Sequence, residues 1–298
     1  MLKFRLLKDK IARHTMLSLT ILCVLVLFII GAVLFYKSWP IIHDKSLREL
    51  LTTSSWRPFK GQFGFLTFIL STLYVTLLAI IIALPPSLLT AIYLSEYASS
   101  RVRRFFNPVI DLLSGIPPVI YGVWGTLTIV PFISNKLAPH FVDFSTGYSV
   151  LAGGVVLAIM IVPLIISITT EVFNAIPKEM REASWSLGAT KWQTIKKVVL
   201  LKSSPGIVAA IVLAISRAFG ETIAVLMVCG NFTDLPKSLF DACYPLPALV
   251  ANNYGEMMSV PSYESALMFA AFLLFIIIVL FNAGSRMVLN RINRRYQL

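Results

Sequence analysis

The segment Ala175-Ile-Pro-Lys-Glu-Met-Arg-Glu-Ala-Ser-Trp-Ser-Leu-Gly-Ala-Thr-Lys-Trp-Gln-Thr-Ile-Lys-Lys-Val-Val-Leu-Leu201 lies between two long apolar runs, residues 148–172 and 205–231. Pro177 suits the first position of a helix, where its missing N–H is no loss. Met180, Ala183, Ser184 and Leu187 recur at i, i+3, i+4 and i+7, which puts them on one helical face. Gly188 stands where a C-terminal glycine would stop that helix. Thr190 and Gln193 carry the spacing of a capping box and open a second helix. The segment therefore reads as helix, glycine turn, helix, joined at both ends to apolar spans. Periodicity alone leaves two uses for the first helix: a face offered to a protein partner, or an amphipathic helix resting on lipid headgroups.

Outward from this loop the chain is apolar almost everywhere. It has 298 residues, of which 57% are hydrophobic and 13% charged, with a mean hydropathy of +0.81. A soluble domain carries roughly 25% charged residues, so this chain lacks the polar surface of a soluble enzyme, and its apolar content excludes a disordered regulator. Three cysteines, Cys23, Cys229 and Cys243, cannot build a disulfide framework. A bilayer core of about 30 Å needs about 20 apolar helical residues. Six stretches meet that length: residues 16–36, 63–97, 105–133, 148–172, 205–231 and 263–289. The fold class expected is an all-α polytopic membrane protein with six transmembrane helices. The first run is longer than a signal-peptide core and no small-x-small cleavage site follows it, so it reads as an uncleaved anchor. Pro85-Pro86 and Pro117-Pro118 fall inside spans, where kinking is the expectation and a broken helix the alternative.

The net charge of +12 is a topology signal. Basic residues before span 1, between spans 2 and 3, between spans 4 and 5, and after span 6 total 18, against seven in the three remaining connections. Basic loops stay in the cytoplasm, so both termini are expected inside and residues 37–62, 134–147 and 232–262 outside. The organisation expected is residues 1–62 as N-terminus, anchor and first outer segment, residues 63–289 as a core containing the cytoplasmic loop 173–204, and residues 290–298 as a cytoplasmic tail.

Glu182-Ala183-Ser184, three residues, Gly188, nine residues, then Val198-Val-Leu200-Leu201 resembles the E-A-A loop of binding-protein-dependent ABC importer permeases. That pattern reads E-A-A, three residues, G, nine residues, I-x-L-P. Here Ser184 replaces the second Ala, Val198 the Ile and Leu201 the Pro. The resemblance implies the type I importer permease fold, with the loop as a coupling helix that docks in a cleft of an ATPase. It places Glu182, Ala183, Ser184 and Gly188 at that dock. Ser216-Arg217-Ala218-Phe219-Gly220-Glu221-Thr222-Ile223-Ala224-Val225 and Ser114-Gly115-Ile116-Pro117-Pro118 narrow it to phosphate-importer permeases of the PstC type. The partners this implies are a PstA-like permease in a heterodimer, a PstB-like ATPase dimer and a PstS-like phosphate-binding protein, in the bacterial cytoplasmic membrane.

Read without the family, the fifth span holds two charges. Arg217 and Glu221 are four residues apart, neighbours on a helix. Counting from Pro205 puts Arg217 about 18 Å along the span, near the midplane. Gly206, Ala210, Ala214, Arg217, Glu221 and Ala224 share one expected face, with Val208, Ile215, Phe219 and Leu226 opposite. Charges in a membrane default to function, and a guanidinium presents a fork that suits phosphate oxygens. The two readings are a substrate-handling pair and a self-neutralising packing device. Asp111, early in span 3, is a further pathway candidate, with pairing to a rim base such as Arg104 as its alternative.

The chain has no G-x-x-x-x-G-K-[ST] loop, so a separate ATPase is expected to use ATP with magnesium, and no cofactor is expected in this chain. No G-x-S-x-G, H-E-x-x-H or C-x-x-C motif argues for catalysis. His14, His43 and His140 are isolated and suggest no metal site. A permease for sulfate or molybdate, a secondary phosphate symporter with Glu221 or Asp111 as proton relay, and a membrane scaffold are the rival functions.

Overall fold

The computed structural model describes residues 2–255 and 260–296, with side chains described from residue 8 to residue 291. Of the expected inside bases, the side chains of Lys3, Arg5, Arg294 and Arg295 lie outside the described residues, as do residues 256–259 of the expected third outer segment and the last two residues of the expected tail.

Helix α1 (Leu2–Asp44) leads into the short α2 (Leu47–Thr52) and a two-stranded antiparallel hairpin, β1 (Trp56–Arg57) and β2 (Gln62–Phe63), in which Trp56 faces Phe63. Then come α3 (Leu66–Ile92), α4 (Ser100–Gly115), α5 (Pro118–Trp124), α6 (Val130–Phe132), α7 (Val150–Asn174), α8 (Lys178–Ser186), α9 (Lys191–Thr194), α10 (Leu200–Gly220), α11 (Ile223–Val228), α12 (Leu246–Asn253) and α13 (Pro261–Tyr296). Among the described residues, five helical stretches are long and apolar enough to cross a membrane: Lys8–Asp44, Leu66–Tyr97, Val150–Asn174, Lys191–Gly220 and Pro261–Arg291. Ser100–Gly115 with Pro118–His140 supplies a sixth, bent by 89°.

The centre of the molecule is the contact of α3 with α7. Val75, Ala79 and Ala83 of α3 interlock with Ala152, Val156, Leu157 and Ile161 of α7, all buried. Small residues let membrane helices approach closely. Gly154 shows why: a Cβ there would lie 2.6 Å from Leu78 Cδ2. The Ser149 hydroxyl accepts the Ala152 N–H and starts α7, as an N-cap serine should. Ala214 and Ala218 of α10 and Ala224, Val225 and Val228 of α11 complete this core.

A second cluster gathers the hairpin, the start of α3, α12 and α13. The Trp56 ring meets Phe63, Phe65, Phe68 and Tyr263 edge-on at 4.9–5.9 Å, the geometry that ring quadrupoles favour. Thr72 Oγ1 accepts the Leu246 N–H at 2.9 Å and pins the start of α12 to α3. Helix α1 lies on α13, through Phe35 against Phe272 and a 2.7 Å ion pair from Lys37 to Glu264.

The two proline pairs behave differently. Pro85 and Pro86 sit inside an unbroken α3, on its exposed side. Pro117-Pro118 separates α4 from α5, so the third span is a broken helix and not the continuous kinked one expected. Residue 116 precedes a proline and is driven to extended backbone, with ψ 128°.

Candidate functional site

The loop after α7 folds as its local chemistry dictates. Pro177 is the residue before α8, one position earlier than expected, and α8 runs to Ser186. Gly188 turns the chain at φ +79°, a conformation glycine adopts without strain. Its N–H donates to Trp185 O at 2.9 Å, and the Ala189 N–H donates to Ser184 O at 3.3 Å, closing the last turn. Thr190 and Gln193 form the full capping box, at 2.9 and 3.3 Å.

The face expected to bind a partner divides in two. Met180 packs on the chain's own cluster of Phe173, Ile176 and Ile195. The Ser184 hydroxyl meets Thr194 Oγ1 at 2.9 Å. Glu182 and Ala183 are exposed, and so are Trp185 at 47% and Leu187 at 89%. Ser184 therefore holds α8 to α9, and the outward surface is Glu182, Ala183, Trp185 and Leu187. Trp185 was not expected there, because its position falls off the face that Met180 defines.

The fifth span is broken where it carries its charges. α10 ends at Gly220, Glu221 is extended with ψ 124°, and α11 begins at Ile223. Arg217 and Glu221 are thus not successive turns of one helix, and they form no ion pair. This corrects the expected pair. The Glu221 carboxylate instead accepts the Ala224 N–H at 3.2 Å, capping α11. Among the described residues Arg217 makes no hydrogen bond or salt bridge, and it is half-buried. Nor does the helix start at Pro205: it runs unbroken from Lys191, with Pro205 inside α10. The small side holds, since Ala210 and Ala214 are buried and a Cβ on Gly206 would come within 2.4 Å of Val172. The expected opposite face is not free, because Phe219 is buried against Phe281 of α13.

The two breaks meet. α5 packs on α11 so closely that a Cβ on Gly122 would lie 3.2 Å from Ala224 Cα and 2.7 Å from Met227 Sδ. The hydroxyl of Tyr121 on α5 donates to Leu113 O across the first break at 2.8 Å. That bond satisfies one of the carbonyls a helix end leaves free. Thr222, at the second break, borders a cavity of about 410 Å³ with Pro247, Val250 and Tyr254. Asp111 is elsewhere. It is exposed on α4 and lines a polar pocket of about 130 Å³ with Asn107, Ser167, Thr170 and Glu171, a pocket Arg217 does not border. Its expected pairing with Arg104 is not among the ion pairs of the described residues.

Sequence reading missed one feature of the loop. Arg181 of α8 reaches back to Glu96, which lies in the π-helical turn Tyr93–Tyr97 after α3. Nη2 donates to Glu96 Oε1 at 2.7 Å, and Nε donates to both carboxylate oxygens at 3.2 and 3.3 Å. Nη2 and Nη1 also donate to Phe173 O and Ile176 O at 2.8 and 2.7 Å, at the end of α7. The two side chains are 13% and 7% exposed. The 85 residues between them hide the pairing.

A bundle of six spans with two of them broken, small residues where helices touch, and a capped helix–glycine–helix loop presenting apolar side chains outward defines a membrane permease. The family model described as "Binding-protein-dependent transport system inner membrane component" matches residues 87–297. The probable ABC transporter permease protein YqgH of Bacillus subtilis is 41% identical over 218 residues, 72% of this chain and 69% of its own. The phosphate transport system permease protein PstC of Mesorhizobium japonicum is 34% identical, over 91% and 88%. PstC of Pasteurella multocida is 32% identical, over 95% and 92%. Among solved structures, a bacterial ABC transporter involved in import of the polysaccharide alginate superposes with a TM-score of 0.57 at 18% identity, covering 95% of this chain and 99% of that one. The chain belongs to the family of binding-protein-dependent transport system inner membrane components.

Proposed function

We propose that this chain is a permease subunit of an ATP-driven importer that moves inorganic phosphate across a bacterial cytoplasmic membrane by alternating access. The observation that carries the reading is the alignment of curated phosphate permeases along nine-tenths of the chain. The outward surface of α8 supports the role of ATPase dock, with Glu182, Ala183, Trp185 and Leu187 offered to a PstB-like partner that uses ATP with magnesium. A PstA-like permease supplies the other half of the pathway, and a PstS-like binding protein delivers phosphate from outside. Both termini are inside, as the basic bias requires.

Arg217 is the cation that meets the passing anion. Its guanidinium matches phosphate oxygens, and no carboxylate among the described residues is bonded to it. Glu221, fixed by Ala224, stands at the same break as a negative charge that keeps the anion's residence short. Phosphate uptake in cells deprived of their own phosphate importers, with the chain expressed beside its neighbouring ATPase, permease and binding-protein genes, tests the reading. Uptake of phosphate, insensitive to dissipation of the proton gradient, is expected. Uptake of sulfate or molybdate alone would replace the substrate, and uptake that follows the proton gradient would make the chain a symporter.

A further inference from the structure

Helix α8 has no buried side chain. It is held to the rest of the chain by Met180, by the Ser184–Thr194 contact and by the guanidinium of Arg181. Met180 packs on an apolar cluster that joins Ala91 and Ile92 of α3 to Phe173 of α7, and Arg181 adds hydrogen bonds to the same two helix ends: to Glu96 after α3, and to the carbonyls of Phe173 and Ile176 at the end of α7. α3 and α7 are themselves the most extensively packed pair in the molecule. A push or pull on the outward surface of α8 therefore has a polar, directional route into the membrane core through Arg181, beside the apolar contact of Met180. A guanidinium is suited to this, because its planar fork fixes direction as well as distance.

We propose that Glu96 and Arg181 form the joint that converts movement of α8 into movement of the α3–α7 pair, so that the pair sets how much substrate is moved per ATP. Both are positioning residues; neither meets substrate or nucleotide. Glu96 and Arg181 share the lining of a pocket of about 250 Å³ with Glu182 and Trp185, while the exposed Ala183 and Leu187 lie outside that lining and keep their place when Arg181 is replaced. A lysine at 181 keeps the charge but gathers its three donors on one atom, and so loses the spread fork by which Nε, Nη1 and Nη2 meet Glu96 and the two carbonyls. The inference rests on the phosphate-importer reading above.

The test uses the full complex, with both permeases, the ATPase pair and the binding protein, in proteoliposomes supplied with labelled inorganic phosphate. Complex recovery, ATP hydrolysis and phosphate uptake are measured together for Glu96→Gln, Arg181→Lys and the double variant Glu96→Gln/Arg181→Met. With the single variants the ATPase is expected to remain bound and active, while phosphate moved per ATP falls at least tenfold. The double variant removes any lone buried charge, so its complex is expected at wild-type abundance with the ratio still low. A wild-type ratio in the single variants, or recovery of the ratio in the double, would overturn the joint. Failure of all three variants to assemble would also overturn it, by making the pair a folding element. If the wild-type complex moves no phosphate, the substrate reading fails instead, and the two failures are told apart by that control.

Discussion

Removing the charge of Arg217 should cost the fold nothing, although Arg217 lies in an apolar span. Breaking an ion pair in such a place leaves a lone charge and costs about 3–5 kcal/mol. Here the Glu221 carboxylate is bonded to the Ala224 N–H and forms no ion pair with Arg217. Arg217→Gln therefore breaks no pair, and it relieves the burden of a cation in the membrane, about 3 kcal/mol on insertion scales. Glu221→Gln keeps an acceptor oxygen for Ala224 and exchanges a charge-assisted bond for a neutral one, a loss of about 1 kcal/mol. With no shared partner the two effects should add, to within about 0.5 kcal/mol. Uptake behaves differently: it is abolished in Arg217→Gln, lowered in Glu221→Gln through slow release, and still absent in the double variant. Thermal unfolding of the detergent-purified complex and phosphate uptake by cells read the two quantities separately. The reasoning is refuted if Arg217→Gln lowers stability by 3 kcal/mol or more and adding Glu221→Gln restores both stability and uptake, the signature of a packing pair.

Ala183→Asp places a carboxylate on the outward surface of α8, and its desolvation against the ATPase should cost about 3 kcal/mol, some hundredfold in affinity; unchanged copurification of the ATPase would favour α8 resting on lipid. Gly188→Val meets no neighbour within 4 Å but must hold φ +79°, a strain of about 1–2 kcal/mol, so α8 should lose protection in hydrogen exchange while Gly188→Asn behaves more mildly. Gly122→Leu should drive α5 from α11 and lower the melting temperature by the equivalent of about 1–3 kcal/mol, with only partial recovery on adding Met227→Ala, because the 3.2 Å approach to Ala224 Cα remains. Single cysteines introduced at positions 140 and 240 should react with an impermeant maleimide in whole cells and one at position 190 should not; labelling at 190 would invert the topology.

The sequence announces what is local. Six apolar lengths give six spans, because a run of that length has no other economical use. Gly188 and the Thr190/Gln193 box are legible because each satisfies backbone groups within a few residues of itself. The break at Glu221 is not legible in this way. The helical period runs through it, since Arg217, Glu221 and Ala224 would share a face whether or not the helix continued. What interrupts it is a side chain competing with the main chain for the Ala224 N–H, and carboxylates do this at helix starts as readily as they sit in helices. The division of the α8 face is likewise tertiary: Met180 turns inward only because Phe173 and Ile195 arrive there. Arg181 looked like one more loop base, and only the fold brings Glu96 to it.

The location of the breaks bears on how a charge can be kept in the membrane at all. An unbroken helix satisfies its own backbone and leaves a buried guanidinium to find a side-chain partner. A broken one frees carbonyls and opens space beside them. Arg217 sits in the last turn of α10, where a cation meets the negative end of the helix dipole. The charge is thus eased by the backbone dipole of α10, with no ion pair to a described carboxylate. A counter-ion would have to be displaced each time an anion arrived, at the full cost of separating two charges in an apolar setting. If Arg217 meets the anion as proposed, dipoles that stay in place let the anion add to the site and leave it again, which a locked Arg–Glu pair would prevent.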